Sequence, residues 1–176
     1  GIYRTVDGGL TWELVQPATF YRQDAKGGLF AFVPLADKHG QTLSLYCGTH
    51  KEGLLKSNDG GSTWSCVGFK GQEIYAVCPA YAHPDAVLVA TEKGLFRYDG
   101  QGASPGKEVK IGQGLPDWPR SLAVTPADIK RVYAAVGTMG IFISRDGGKT
   151  FTHPDGNLPP KAFNDVATSP AHADMV

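Results

Sequence analysis

Three Asp-Gly-Gly turns contain the carboxylates whose spacing first suggests chemistry. Asp7, Asp59 and Asp146 each lie two residues after a Ser or Thr and four residues before a Thr. A calcium loop needs several oxygen ligands at close spacing, whereas each of these turns supplies one carboxylate. An Asp side chain can instead accept hydrogen bonds from the backbone N–H groups of its own turn, and the glycines supply the positive φ of a tight hairpin. The residues therefore predict structural turns, and we expect neither a metal site nor a cofactor.

Four other carboxylates could serve as catalytic groups, namely Glu73, Glu92, Asp117 and Asp165. Hydrolysis of a glycosidic bond needs two carboxyls about 5–10 Å apart across a cleft. The spacing of these four residues does not single out a pair. We therefore expect this segment to be non-catalytic, and if it is an enzyme we expect a glycoside hydrolase.

The Asp-Gly-Gly turns belong to a longer repeat. The segments Gly1–Trp12, Gly53–Trp64 and Gly140–Phe151 align without gaps, and a fourth segment, Gly94–Gly102, keeps only the opening. The four segments begin 52, 41 and 46 residues apart, which matches the blade period of β-propellers, about 40–50 residues. In the fourth segment Asp99 comes one place early and no aromatic residue follows, so we expect that hairpin to close by a different turn.

A second element recurs between the turns. Short segments at 29–34, 74–79, 121–126 and 165–170 align on their prolines, and a run rich in β-forming residues follows at 87–91 and 132–136. Each unit then contains four short strands, and the proline ends the first strand because it cannot donate to the ladder. The pattern predicts an all-β chain, a β-propeller of four-stranded antiparallel blades with three complete blades and two partial ones. Within 1–176 the predicted segments are 1–16 (two strands of a partial blade), 28–69, 73–113 and 120–155 (blades) and 164–176 (the start of a further blade).

The recurrent motif resembles the Asp-box, the BNR repeat of sialidases, tandem-propeller xyloglucan hydrolases, sortilin-type receptors and the photosystem II assembly factor. The resemblance covers nearly the whole chain. It implies that the motif residues hold the outer hairpin of each blade together, that ligands bind the opposite face, and that the protein is secreted or periplasmic. The residues themselves leave the compartment open, the cytoplasm included. The motif residues are Asp7, Gly9, Trp12, Asp59, Gly61, Trp64, Asp146, Gly148 and Phe151.

Composition excludes several partners. Seventeen Lys and Arg residues balance seventeen Asp and Glu residues, so charge gives no reason to expect nucleic acid or an anionic membrane surface as a partner. No apolar run approaches the roughly 20 residues that span a bilayer. Cys47, Cys66 and Cys78 form no C-x-x-C pair, which argues against a zinc site and a disulfide framework.

The strand order divides the connections between two faces. The turns within each hairpin share one face with every Asp-Gly-Gly turn, and the longer connections and corners share the other. An aromatic residue beside Arg and carboxylates on that second face could contact a sugar ring or a peptide, or could equally be a packed rim. The ligand-binding candidates on that face are His50, Glu73, Glu92, Asp117, Trp118, Arg120, Asn164 and Asp165.

Three functions fit these residues. The first is a non-catalytic propeller module that binds a carbohydrate or a protein. The second is a segment of a BNR-repeat glycoside hydrolase, although the Arg-Ile-Pro type motif of sialidases is not visible. The third is an assembly or scaffold factor. The first and last segments are complementary parts of one blade, so we expect either further blades in a larger propeller or a second copy that supplies the missing strands.

Overall fold

The structure is a computed structural model that describes residues 2–16, 31–36, 43–81, 86–100, 106–125, 127–154, 162–169 and 176. Short strands dominate, and these residues include one short 3-10 helix, Gly137–Met139. The strands are β1 Ile2–Arg4, β2 Glu13–Gln16, β3 Ala31–Ala36, β4 Leu43–Gly48, β5 Leu54–Ser57, β6 Ser65–Gly68, β7 Ile74–Pro79, β8 Ala86–Thr91, β9 Gly94–Asp99, β10 Lys107–Ile111, β11 Ser121–Thr125, β12 Asp128–Ala135 and β13 Ile141–Ser144.

The strands form four small antiparallel sheets in the described part of the chain. Two sheets have four strands each, β3 to β6 and β7 to β10, in sequence order. A third sheet contains β11, β12 and β13, and β1 pairs with β2 in a separate hairpin. The prediction of an all-β chain built from small antiparallel sheets is therefore confirmed.

In the described residues the third sheet has three assigned strands. A single antiparallel bridge between Ile143 and Thr152 stands where a fourth strand was expected. Beyond it, residues 162–169 have no assigned strand. Hydroxyl groups nevertheless tie that segment to β11, because Thr168 Oγ1 donates to the Val124 carbonyl at 3.1 Å and Thr125 Oγ1 donates to the Ser169 carbonyl at 2.9 Å.

Proline does not end the first strand of every sheet. Pro79 is the last residue of β7, as predicted, but Pro34 lies inside β3 and pairs with Leu45. β3 is at one edge of its sheet, and an edge strand tolerates a residue that has no N–H to donate.

The strand register collects connections of one kind at one end of the sheets. Gly48 pairs with Leu54, and Leu54 pairs with Gly68, so the corner at 49–53 lies beside the connection at 69–73. The equivalent segments of the next two sheets are 91–94, 112–120 and 136–140. We call this side the loop end, and the side with the Asp-Gly-Gly turns the turn end.

Strand β8 separates two hydrophobic cores. All six of its residues are buried, and successive side chains of a strand point to opposite faces. Ala86, Leu88 and Ala90 belong to a core shared with the β11–β13 sheet. Val87 and Val89 belong to a second core shared with the β3–β6 sheet, where Tyr46 is also buried. The β7–β10 sheet is therefore held between its two neighbours.

Each Asp-Gly-Gly turn is closed by the same set of hydrogen bonds. In the second turn, the backbone N–H and the hydroxyl of Thr63 donate to the two oxygens of Asp59 at 2.8 and 2.5 Å. The Ser57 hydroxyl donates to Asp59 Oδ1 at 2.8 Å and accepts the Gly61 N–H at 2.8 Å. The other two turns repeat this network around Asp7 and Asp146.

These hydrogen bonds stabilise the ionised carboxylates. The Thr63 hydroxyl and N–H lower the pKa of Asp59 to about 2, and those of Thr11 do the same for Asp7. Burial raises the pKa of Asp146, but the hydrogen bonds from Thr150, Ser144 and Lys149 together outweigh it, so this pKa is lowered too. A carboxylate used in this way is an acceptor for its own turn.

The aromatic residue that follows each turn differs in its surroundings. Trp64 Nε1 donates to the Gly61 carbonyl at 2.8 Å, and Trp12 Nε1 donates to the Gly9 carbonyl at 3.1 Å. Phe151 is almost fully buried, whereas Trp12 is 62% exposed. The first turn therefore lacks, among the described residues, the cover that the third turn has.

The fourth repeat segment has its own arrangement. β9 and β10 pair as a hairpin, and Asp99 binds the side chain of Arg97, with Nε and Nη2 at 2.7 and 3.0 Å from its two oxygens. The different turn expected there lies at 101–105, outside the described residues.

Two glycines near the loop end should differ in their tolerance of alanine. Gly53 and Gly71 both have positive φ, but a Cβ at Gly53 would lie 2.3 Å from the Gly68 carbonyl oxygen, while a Cβ at Gly71 meets nothing within 4 Å. We expect Gly71→Ala to reduce the free energy of unfolding by about 1 kcal/mol, and Gly53→Ala by more than about 2 kcal/mol. Urea unfolding of both variants measures this, and equal losses would contradict it.

The hydroxyl of Thr63 should control the titration of Asp59. Replacing it in Thr63→Val should raise the pKa of Asp59 from about 2 toward its ordinary 3.8, since this hydroxyl is the largest cause of the shift. In the parent chain the stability supplied by this carboxylate is complete above pH 3.8 and is lost as the pH falls through about 2. Carboxyl NMR titration measures the shift, with Asp7 as the internal control that stays near 2. An unchanged Asp59 pKa would refute the assignment.

Candidate functional site

The loop end brings most of the sequence-predicted binding residues together. They come from the corner after β4, the corner after β8 and the connections before β7 and β11. Backbone bonds fix these segments: the Glu92 N–H donates to the Glu73 carbonyl at 3.1 Å, and the Arg120 N–H donates to the Ala135 carbonyl at 2.8 Å. The side chains named below therefore extend from well-anchored backbone.

Two of the predicted acids pair with side chains of the first corner. His50 Nδ1 lies 3.0 Å from Glu73 Oε1, and Lys51 Nζ lies 3.4 Å from Glu92 Oε2. Both pairs link the β3–β6 sheet to the β7–β10 sheet. Since the groups are partly exposed, each pair contributes little to stability but fixes where the carboxylates stand.

An aromatic pair lies next to these carboxylates. The rings of Tyr75 and Trp118 are stacked, with centroids 6.1 Å apart and planes 19° from parallel. Burial, then the charge of Glu73 and a hydrogen bond with it, raise the pKa of Tyr75. The indole of Trp118 is 37% exposed, so the stack is also open to a ligand.

A pocket of about 260 Å³ lies on one side of Trp118. Its polar lining includes Glu92, Asp117 and two lysines, Lys93 and Lys110. Its apolar lining comes from Leu95, Ile111 and Leu115. We call it the first pocket.

A second pocket of about 270 Å³ also borders Trp118. Arg120, Asn164 and Asp117 line it together with Met139, which is 55% exposed. Asp117 and Trp118 thus belong to both pockets, and the two form one surface across the indole. A small concave site with convergent polar groups is the usual form of a binding site.

Asp165 is the predicted candidate that the structure places apart. Its Oδ1 accepts the Ser121 hydroxyl at 2.5 Å and the Val166 N–H at 2.9 Å, and it lines neither pocket. His50 and Glu73 also lie outside the two pocket linings. Glu73 is nevertheless hydrogen-bonded to Tyr75, whose ring stacks on Trp118.

Tyr75 and Met139 are not among the sequence-predicted candidates. In the aligned repeats Tyr75 corresponds to Phe30, Leu122 and Val166, so its position did not mark it as a binding residue. Its hydroxyl, the only polar group in that column, was the available signal. Met139 was visible in its corner, but nothing in the sequence placed it beside Arg120.

The described residues contain neither a metal-binding cluster nor a membrane-spanning helix. No group of three His, Cys, Asp or Glu side chains within them is arranged to hold a metal ion. Searched over the same residues, the structure has no helix with the length and apolar character needed to cross a membrane.

Comparison with known proteins identifies the fold. No protein-family model matches the chain, and no curated protein does. The chain is similar in structure to a GH74 enzyme from Niastella koreensis, with a TM-score of 0.61 and 17% identity over 86% of this chain and 26% of that one. It is also similar to a chain of the Chaetomium thermophilum Polycomb Repressive Complex 2, a humanized mutant with bound inhibitor (TM-score 0.57, 13% identity, 85% of this chain, 36% of that one). Raptor from the same fungus matches with a TM-score of 0.54 and 12% identity over 85% of this chain and 14% of that one.

At these identities the likeness is one of fold. The chain has a propeller-like fold of small antiparallel sheets, and it spans about a quarter of the length of the GH74 enzyme that it matches.

The link between Glu73 and Tyr75 can be tested by titration. In Glu73→Gln the nearby negative charge is removed, so the pKa of Tyr75 should fall while the contribution of burial remains. Glu52→Gln, an exposed residue of the neighbouring corner, is the matched control and should leave Tyr75 unchanged. Tyrosine-selective NMR across an alkaline pH series measures both, and equal effects of the two variants would contradict the contact.

Proposed function

We propose that this chain is a non-catalytic propeller module that binds a polypeptide at its loop end. The supporting observation is the half-exposed Trp118, stacked on Tyr75 between two pockets. Tyr, Trp, Met and Arg are the residue types enriched in protein interfaces, and the surface around the indole adds Met139 and Arg120 to the aromatic pair. The chain of similar fold from the Polycomb Repressive Complex 2 belongs to a multi-protein assembly, which is consistent with a protein ligand here.

The local bonding of the four candidate acids supports a non-catalytic role. Glu73 is paired with His50, and Glu92 with Lys51. Asp117 Oδ1 accepts the Trp118 N–H at 2.8 Å, and Asp165 is bonded to Ser121. A glycoside hydrolase needs one carboxyl to deliver a proton and a second to face the sugar, whereas these four hold segments of the loop end in place.

A carbohydrate is the second candidate ligand. The exposed face of Trp118 could stack on a sugar ring, and Asp117 and Asn164 could bond its hydroxyls. An assembly or scaffold factor would be a special case of the polypeptide binder. A segment of a BNR-repeat glycoside hydrolase remains the catalytic alternative, in line with the fold of the GH74 enzyme.

We also propose that the sheets are blades, with the sequence-predicted boundaries, of a larger propeller whose Asp-Gly-Gly turns act as Asp-boxes. β5 lies between β4 and β6, and β9 lies between β8 and β10. In the described residues the equivalent strand β1 pairs with β2 on one side and has no strand on the other. Tyr3 is 58% exposed on this hairpin, so further strands would cover apolar surface. Sedimentation checks the alternative of completion by a second copy, which predicts a multiple of 18.7 kDa.

The loop end, and not the turn end, should bind the ligand. A random heptapeptide phage library and a glycan array identify a ligand of either class. Trp118→Ala should then weaken binding about thirtyfold or more, because a central aromatic anchor contributes about 2 kcal/mol or more. Trp12→Ala, an exposed tryptophan of the turn end, is the matched control and should leave the affinity unchanged.

Three results would count against this proposal. Selection of ligands that bind equally well to Trp118→Ala would place the site elsewhere. Binding to glycans alone would favour the carbohydrate candidate. Release of reducing sugar from a polysaccharide, abolished in Glu73→Gln or Glu92→Gln with the fold intact, would establish the catalytic alternative.

A further inference from the structure

Arg120 is an exposed cation in the wall of the second pocket. Its backbone is fixed by the bond from its N–H to the Ala135 carbonyl, and its Nε lies 3.7 Å from the position that a Cβ on Gly137 would occupy. Within the described residues its guanidinium makes no ion pair and no side-chain hydrogen bond. The pocket therefore holds five N–H donors close to Trp118 and Met139.

Around the Trp118 indole the acidic side chains have partners, whereas the basic side chains of the two pockets form no ion pair in the described residues. Glu92 is paired with Lys51, and Asp117 accepts a backbone N–H. Lys93 and Lys110 of the first pocket, like Arg120, form no ion pair in the described part of the chain. In a protein whose basic and acidic side chains are equal in number, this surface offers unpaired positive charge beside aromatic and apolar groups.

We propose that the second pocket binds the carboxylate of an Asp or Glu side chain in a polypeptide ligand, an inference that rests on the proposed function. Arg120 donates to the carboxylate, and the amide of Asn164 lines the same pocket. A guanidinium matches a carboxylate in geometry and can bind it through two parallel hydrogen bonds. An apolar residue next to the acidic one contacts Met139 and the exposed face of Trp118.

The occupant is an ordinary acidic side chain and not a phosphate. The second pocket is lined by one basic side chain, Arg120, and one acidic side chain, Asp117, so it lacks the cluster of cations that binds a group of charge near −2. The exposed side chain of Met139 favours a peptide over a sugar, because it offers no hydrogen bond to hydroxyls.

The test is a parallel selection from a random heptapeptide phage library. The chain with no substitution should enrich peptides that contain Asp or Glu beside an apolar residue. Arg120→Gln should lose that acidic preference, while Arg145→Gln, which removes the same charge from an exposed residue of the third turn at the turn end, should keep it. Both variants are expected to fold, since both arginines are exposed, and circular dichroism checks this.

Affinity measurements with one selected peptide complete the test. Arg120→Gln, or Asp→Asn in the peptide, should each raise Kd about tenfold, and the two changes together should raise it no further. Additive effects would show that the two groups do not meet and would overturn the inference.

The outcomes separate this inference from the proposed function. Peptides without an acidic residue that bind through Trp118 but are indifferent to Arg120→Gln would refute the carboxylate site and leave the binding module standing. Preference for phosphopeptides over their acidic counterparts would also refute it. Failure to select any Trp118-dependent peptide would refute both.

Discussion

Strand β8 buries both of its faces, and this constraint fixes the arrangement of the three larger sheets. Leu88 faces the core shared with the β11–β13 sheet, and Val87 and Val89 face the core shared with the β3–β6 sheet. A sheet buried on two sides needs a neighbour on each, so none of the three is expected to be stable alone. Contacts between neighbouring sheets, such as His50 with Glu73 and Tyr75 with Trp118, hold their corners and connections together at one end. The pockets beside Trp118 are a consequence of this packing.

The fold could be predicted from the sequence because its signals are local. The Ser or Thr, the Asp and the following Thr of each turn lie within seven residues of one another, and their hydrogen bonds close inside that segment. The pattern of strands and turns is also local, because it can be recognised within a single repeat. At one position long-range context decided instead: Pro34 is accommodated inside β3 because that strand lies at an edge.

The candidate site could be predicted only in part, since it is built from contacts between sheets. The residues of the corners and connections were identified as candidates from their position in the repeat. Their pairing was not: His50 with Glu73 joins two sheets, as does Tyr75 with Trp118. Tyr75 was missed because it lies in an otherwise apolar strand segment. Asp165 was included as a candidate, and in the structure its carboxylate accepts the Ser121 hydroxyl. One sequence gives no measure of how neighbouring sheets align, and that alignment decides which side chains meet.

The three closed turns also affect how such a protein can diversify. The polar groups of each turn bond to one another within the turn. The residues that stabilise the hairpins in this way lie at the turn end, away from Trp118 and Arg120 at the loop end. Substitutions of exposed side chains in the corners and connections therefore leave the hairpin network untouched and, unlike Gly53→Ala, cost little stability. A lineage that inherits this framework can therefore change its ligand specificity while it keeps its architecture.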